Sequence, residues 1–123
     1  MTTILVVDDN DDIRDLIMRR LQERGYSVLA ARNGIEAVVS AATCKPSLIL
    51  MDVNMPELDG FEATLQIRES GDANRIPVIA LTAYALPGDE ERAIAAGCDA
   101  FNPKPMDFEH LFEQITNLLG VAS

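Results

Sequence analysis

Leu48-Ile49-Leu50-Met51-Asp52-Val53-Asn54-Met55-Pro56 is the stretch that decides the fold. Four apolar residues in a row, with no polar alternation, read as a strand covered on both faces, the pattern of a central strand in a parallel sheet. The run stops abruptly on a carboxylate, Asp52, and a Met-Pro turn and Gly60 follow. Ligands of open α/β sheets sit just beyond the carboxyl ends of the strands. Asp52 therefore stands where such a sheet does its chemistry.

Toward the N-terminus, Ile4-Leu5-Val6-Val7 is a second continuous apolar run, and it leads into Asp8-Asp9-Asn10-Asp11-Asp12. A helix follows, with Ile13, Ile17 and Leu21 at i, i+4, i+8 and Leu16 beside them as one apolar stripe. Acidic residues at its start suit the helix dipole, and Arg24-Gly25 closes it with a cation and a left-handed cap. Tyr26 to Ala30 is a shorter, less apolar strand. Asn33-Gly34 turns into a small helix expected to carry Ile35, Val38, Val39 and Ala42 on one side, and Lys45-Pro46-Ser47 ends it.

Toward the C-terminus, a helix starts near Phe61 with Leu65 one turn on, and Ser70 to Arg75 is a polar loop. Pro77 opens a strand that runs through Val78-Ile79-Ala80-Leu81 to Thr82. Asp89 to Ala96 reads as a helix closed by Gly97, mostly alanine plus Ile94, so it should bury little area and hold weakly. Ala100-Phe101-Asn102 is a last short strand before Pro103-Lys104-Pro105. The final helix, N-capped by Asp107, shows a long apolar face of Phe108, Leu111, Phe112, Ile115, Leu118 and Leu119.

Five strands alternating with five helices predict an α/β, doubly wound parallel sheet. The continuously apolar strands belong in the middle and the weaker ones at Tyr26 and Ala100 at the edges. Order 2-1-3-4-5, the flavodoxin-like arrangement, satisfies this and puts Asp8, Asp9 and Asp52 on either side of its switch point.

The chain of 123 residues, 48% apolar, is read as one domain over 1–123 with a single core and no output domain. A formal charge of −10 speaks against nucleic-acid or anionic-membrane partners, both of which need clustered Lys and Arg. No apolar run reaches spanning length and no leader is evident at Met1, so the expected location is cytoplasmic. Cys44 and Cys98 are isolated and are expected to be small buried or half-buried residues in a reducing compartment.

Three carboxylates meeting at one point have a definite chemistry. Two like charges about 4 Å apart repel by about 4 kcal/mol at an effective dielectric of 20. Such a cluster needs a cation or a bound proton, and Lys104 offers only one charge. An all-oxygen acidic pocket prefers a hard divalent ion, Mg²⁺ over Ca²⁺ where the site is small and waters remain. A carboxylate nucleophile beside such an ion, a lysine and the Thr82 hydroxyl matches what phosphoryl transfer requires. Singly, each residue reads as a turn, cap or surface residue. Delivered together by four strand ends, they read as a site.

The chain resembles the receiver domains of two-component response regulators from Thr3 to Gly120. The motifs are Ile4-Leu5-Val6-Val7-Asp8-Asp9-Asn10, Leu48 to Pro56, Asp59-Gly60, Ala80-Leu81-Thr82-Ala83 and Lys104-Pro105. The resemblance implies phosphorylation of Asp52 by a phosphohistidine of a histidine kinase or histidine phosphotransfer protein. It also implies Mg²⁺ held by Asp9, Asp52 and the backbone carbonyl of Asn54, with Asp8 behind them through water. Thr82 and Lys104 would bind the phosphoryl group, and the Lys104–Pro105 peptide is often cis in the family.

A further implication is a switch in which Thr82 moves toward the phosphate and the ring of Phe101 turns into the space it leaves. Tyr is common where Phe101 stands. Asn54 and Tyr84, two residues past Asp52 and Thr82, are expected to tune phosphate lifetime. A downstream protein target would be met by the last helices and strand. As an enzyme the chain is expected to act only on itself, in its own phosphorylation and dephosphorylation. A haloacid dehalogenase-type hydrolase would need Asp-x-Asp, which neither Asp8-Asp9-Asn10 nor Asp52-Val53-Asn54 supplies. His110, without ligand partners nearby in sequence, reads as a solvated surface residue.

Overall fold

The computed structural model describes residues 2–53, 55, 58–69, 76–82, 88–103 and 107–119. Among them the strands are β1 (Thr3–Val7), β2 (Ser27–Ala31), β3 (Leu48–Asp52), β4 (Val78–Thr82) and β5 (Ala100–Pro103). They alternate with α1 (Asp11–Glu23), α2 (Gly34–Cys44), α3 (Gly60–Glu69), α4 (Asp89–Ala96) and α5 (Phe108–Leu119). All neighbouring strands are parallel, in the order β2-β1-β3-β4-β5, one of the few that the apolar runs allow and the one expected. Every residue of β3 and β4 is buried, whereas the edge strands β2 and β5 are partly open.

Strand alternation divides the core into two layers. Leu5, Val7, Ile49, Met51, Val78 and Ala80 face the side covered by α2, α3 and α4. Ile4, Val6, Leu48, Leu50, Ile79 and Leu81 face Ile17 and Leu21 of α1 and Leu111, Phe112 and Ile115 of α5. Side-chain oxygens cap four helices: Asn10 accepts from Ile13 N at 3.0 Å, Asn33 from Glu36 N at 2.8 Å, Asp59 from Glu62 N at 2.9 Å, and Asp107 from Glu109 N at 3.0 Å. Each satisfies an orphan donor of a first turn.

Four helix faces differ from the reading of apolar side chains alone. In α2, Ile35 and Val39 are 54% and 56% exposed and Ala42 is exposed, while Gly34, Ala37 and Ala41 are buried. The reason is close approach: a Cβ at Gly34 would collide with the carbonyl oxygen of Leu58, so small residues take the face against the neighbouring structure. Leu16 of α1 and Leu65 of α3 lie exposed beside their helices' buried faces, and Ile94 of α4 points outward. Cys44 is exposed at the last residue of α2, before Lys45 turns left-handed at φ 47°; Cys98 is buried as expected. Asn54, Tyr84, Lys104, Pro105 and the loop from Ser70 to Arg75 lie outside the described residues.

Candidate phosphoacceptor and metal site

Val7 pairs with Met51 across the β1–β3 ladder, so Asp8 and Asp52 are the next residues on adjacent strands. Carboxylate oxygens of Asp8, Asp9 and Asp52 lie within 4.8 Å of one another, as the strand ends predict. Asp8 and Asp52 are only 1% and 2% exposed, while Asp9 is exposed and opens the cluster to solvent. Buried like charges this close are costly without a counter-charge, and a donor set made only of carboxylate oxygens fits a hard divalent cation.

The backbone fixes these acids from both strands. Asp8 N donates to Ala31 O at 3.2 Å, and Asp8 Oδ1 accepts from Asn10 N at 2.9 Å. Beyond Asp52, Val53 N donates to Leu81 O at 2.9 Å, continuing the ladder past the end of β3. Gly60 lets the first turn of α3 press against this point. A Cβ there would overlap the Asp52 carbonyl oxygen and lie 2.7 Å from Val53 Cα.

Thr82 closes β4, fully buried, opposite Pro103 of β5. Phe101 pairs with Ala80, so alternation puts Phe101 on the same sheet face as Thr82. Its ring is partly buried against the α2–α4 layer. A cavity of about 110 Å³, lined by Glu90, Ala93, Ile94, Cys98 and Ala100, adjoins Phe101 under α4. Lys104, one residue past β5, and Asn54 and Tyr84 are outside the described residues, so the trio of acids and the shared sheet face of Thr82 and Phe101 are the parts of the predicted site that can be placed.

Two arginines were not signalled by apolar patterning. Arg14 of α1 is buried and donates from Nη1 to the Asp8 carbonyl at 2.9 Å and from Nη2 to Asp11 Oδ1 at 2.6 Å. Its spacing from Asp11, i to i+3, is the only sequence trace of that pairing. Arg68 of α3 donates to the carbonyls of Gly97 and Ile76 and to Asp99 Oδ2, tying the end of α3 to the turn that precedes β5. Burial pushes the Cys98 thiol up from its ordinary value, against the opposing hydrogen bond to Thr64 and the charge of Arg68. His110 is exposed on the first turn of α5.

A family model described as the response regulator receiver domain matches residues 4–116. The polar-differentiation response regulator DivK of Brucella anthropi is 38% identical over 120 residues, which cover 98% of each chain. The receiver domain of the sensor histidine kinase PA1611 from Pseudomonas aeruginosa, solved with a magnesium ion coordinated in its active-site cleft, is 39% identical. It superposes with a TM-score of 0.90 over 97% of this chain and 98% of that one. The Vibrio cholerae chemotaxis protein CheY4 gives a TM-score of 0.90 at 31% identity, over 96% of this chain and 98% of its own.

Proposed function

We propose, for a chain that belongs to the response regulator receiver family, that Asp52 is the phosphoacceptor and that Asp8 and Asp9 serve it with Mg²⁺. Receiver domains accept phosphate from histidine kinases and act on downstream targets, and this chain is a phosphoacceptor signalling domain of that kind. The observation that carries the assignment is the carboxylate trio within 4.8 Å around a buried Asp52 at the end of the central strand.

An Asp52 carboxylate oxygen attacks the phosphorus of a phosphohistidine on a histidine kinase or histidine phosphotransfer protein. The P–N bond breaks, its electron pair stays on the imidazole nitrogen, and that nitrogen takes up a proton. Asp9, Asp52 and the Asn54 carbonyl would hold Mg²⁺, with Asp8 behind them through water. When bound, the ion supplies positive charge against which carboxylate and phosphoryl oxygens can approach. Thr82 and Lys104 bind phosphoryl oxygens of the product. We assign the chain no reaction beyond this transfer to its own carboxylate and the hydrolysis of the resulting acyl phosphate to carboxylate and inorganic phosphate.

The aspartyl phosphate carries about −1.5 to −2 charges where the carboxylate carried −1, and its three phosphoryl oxygens draw the Thr82 hydroxyl toward the new group and let the Phe101 ring turn inward. The cavity beside Phe101 and the shared face of Thr82 and Phe101 support that coupling. The downstream protein is met on the surface of α4, β5 and α5. Among the described residues no helix is long and apolar enough to cross a membrane, and the proposed location is cytoplasmic. Tyr84, two residues past Thr82 in sequence, would slow hydrolysis of the phosphoryl group by hindering in-line water. A Tyr84→Ala protein should lose phosphate faster, and an unchanged or slower rate would reject that role.

Incubation with acetyl phosphate and Mg²⁺ should raise the intact mass by one phosphoryl group. Asp52→Asn and chelation by EDTA should each abolish the gain. Labelling of the Asn variant at the wild-type rate would remove Asp52 from the reaction.

A further inference from the structure

We infer that Arg14 is a positioning residue for the divalent-cation site, holding the turn that carries Asp8 and Asp9. The inference rests on the reading that this acidic trio binds Mg²⁺.

Arg14 lies three residues before Ile17 and seven before Leu21, so it is a charged residue on the buried stripe of α1. The side chain is 11% exposed and forks. One arm reaches the main-chain carbonyl of Asp8 at 2.9 Å and the other the Asp11 carboxylate at 2.6 Å. Its own amide donates to the Asn10 carbonyl at 3.0 Å. Asp8 N is bonded to Ala31 O, and Asn10 N to the Asp8 side chain. Asp9, the exposed member of the trio, therefore rides on a turn whose neighbours are fixed on both sides.

Mg²⁺ demands near-ideal octahedral geometry at about 2.0–2.1 Å, so small displacements of a ligating carboxylate cost affinity. The groups that orient metal ligands matter nearly as much as the ligands themselves. Arg14 brings two effects of opposite sign. Its charge opposes an incoming dication, while its hydrogen bonds hold the ligand turn in place. Pairing with Asp11 at 2.6 Å offsets much of that charge, but both hydrogen bonds remain. Positioning therefore prevails. A lysine can reach one of the two acceptors but cannot span both with a planar fork.

The test is the Mg²⁺ dissociation constant of the full, unphosphorylated chain, measured by isothermal titration calorimetry. Wild type, Arg14→Met, Arg14→Lys and a core control, Ile115→Val, are compared, with thermal unfolding in EDTA to confirm that each is folded. Arg14→Met is expected to bind Mg²⁺ about 10-fold more weakly, Arg14→Lys by an intermediate factor, and the control like wild type despite its lowered stability. Should Arg14→Met not fold, weakened binding by Arg14→Lys carries the result. Affinity equal to wild type in the Arg14 variants would make Arg14 purely structural, and tighter binding would make its charge the dominant effect; either overturns the inference. Failure of the wild type itself to bind Mg²⁺ would instead overturn the metal-site reading, and the inference with it.

Discussion

The β1–α1 corner and helix α4 pack on the same sheet but are held in opposite ways. At the corner, Asp8 and Asn10 have their peptide groups bonded to Ala31, Arg14 and the Asp8 carboxylate, and Asn10 caps α1. Helix α4 has eight residues, left-handed glycines at both ends, and no side-chain N-cap bond. It buries Ala93 and Ala96 and leaves Ile94 65% exposed. Fully burying a Leu or Ile stabilises by roughly 1.5–3 kcal/mol, and alanine supplies far less. Rigidity is concentrated where carboxylates must be held, and the weakly anchored helix lies where the proposed switch would turn the Phe101 ring.

Replacing Gly60 should strike hardest, at the end of β3 beside the rigid corner. Gly60→Ala forces a Cβ onto the Asp52 carbonyl, which should cost about 1–3 kcal/mol in denaturant unfolding and depress phosphorylation with it. Wild-type stability and labelling in that protein would break the claim that the acid trio is tightly held on its β3 side. Arg68→Met should act on the looser region. It strips donors from the carbonyls of Gly97 and Ile76, a loss of about 1–3 kcal/mol, with faster amide exchange in α4 and β5 but not in α1. Uniformly faster exchange would erase the distinction between the two regions.

The smallest expected effect is on the alkaline side. The Cys98 thiol, raised by burial above its ordinary 9.0, keeps its proton in the folded state after the unfolded chain has begun to lose it. Its contribution to stability is therefore intact below about pH 9 and fades as pH rises through the folded value. Unfolding in urea at pH 8 and pH 10 should show a steeper alkaline loss for wild type than for Cys98→Ala. Equal slopes would mean that the region around Cys98 is already open to water.

The strand order and the acid trio were legible because buried parallel strands leave continuous apolar runs, and the residue ending each run is fixed by register. Val7 opposite Met51 makes Asp8 and Asp52 neighbours with no further information. The helix faces were less legible. Apolar spacing favoured Ile35 and Val39, but backbone proximity selected Gly34, Ala37 and Ala41, a steric demand made by Leu58 on another segment. Arg14 and Arg68 escaped for a related reason. Their acceptors are mostly main-chain carbonyls, which carry no residue signature.

The most direct measurement is borohydride reduction of the acetyl phosphate-treated protein followed by peptide mass mapping. Reduction converts an aspartyl phosphate into homoserine and leaves an unmodified carboxylate untouched. Homoserine at position 52 alone is the predicted result. Homoserine at 8 or 9 with Asp52 intact would contradict Asp52 as the residue that takes the phosphoryl group.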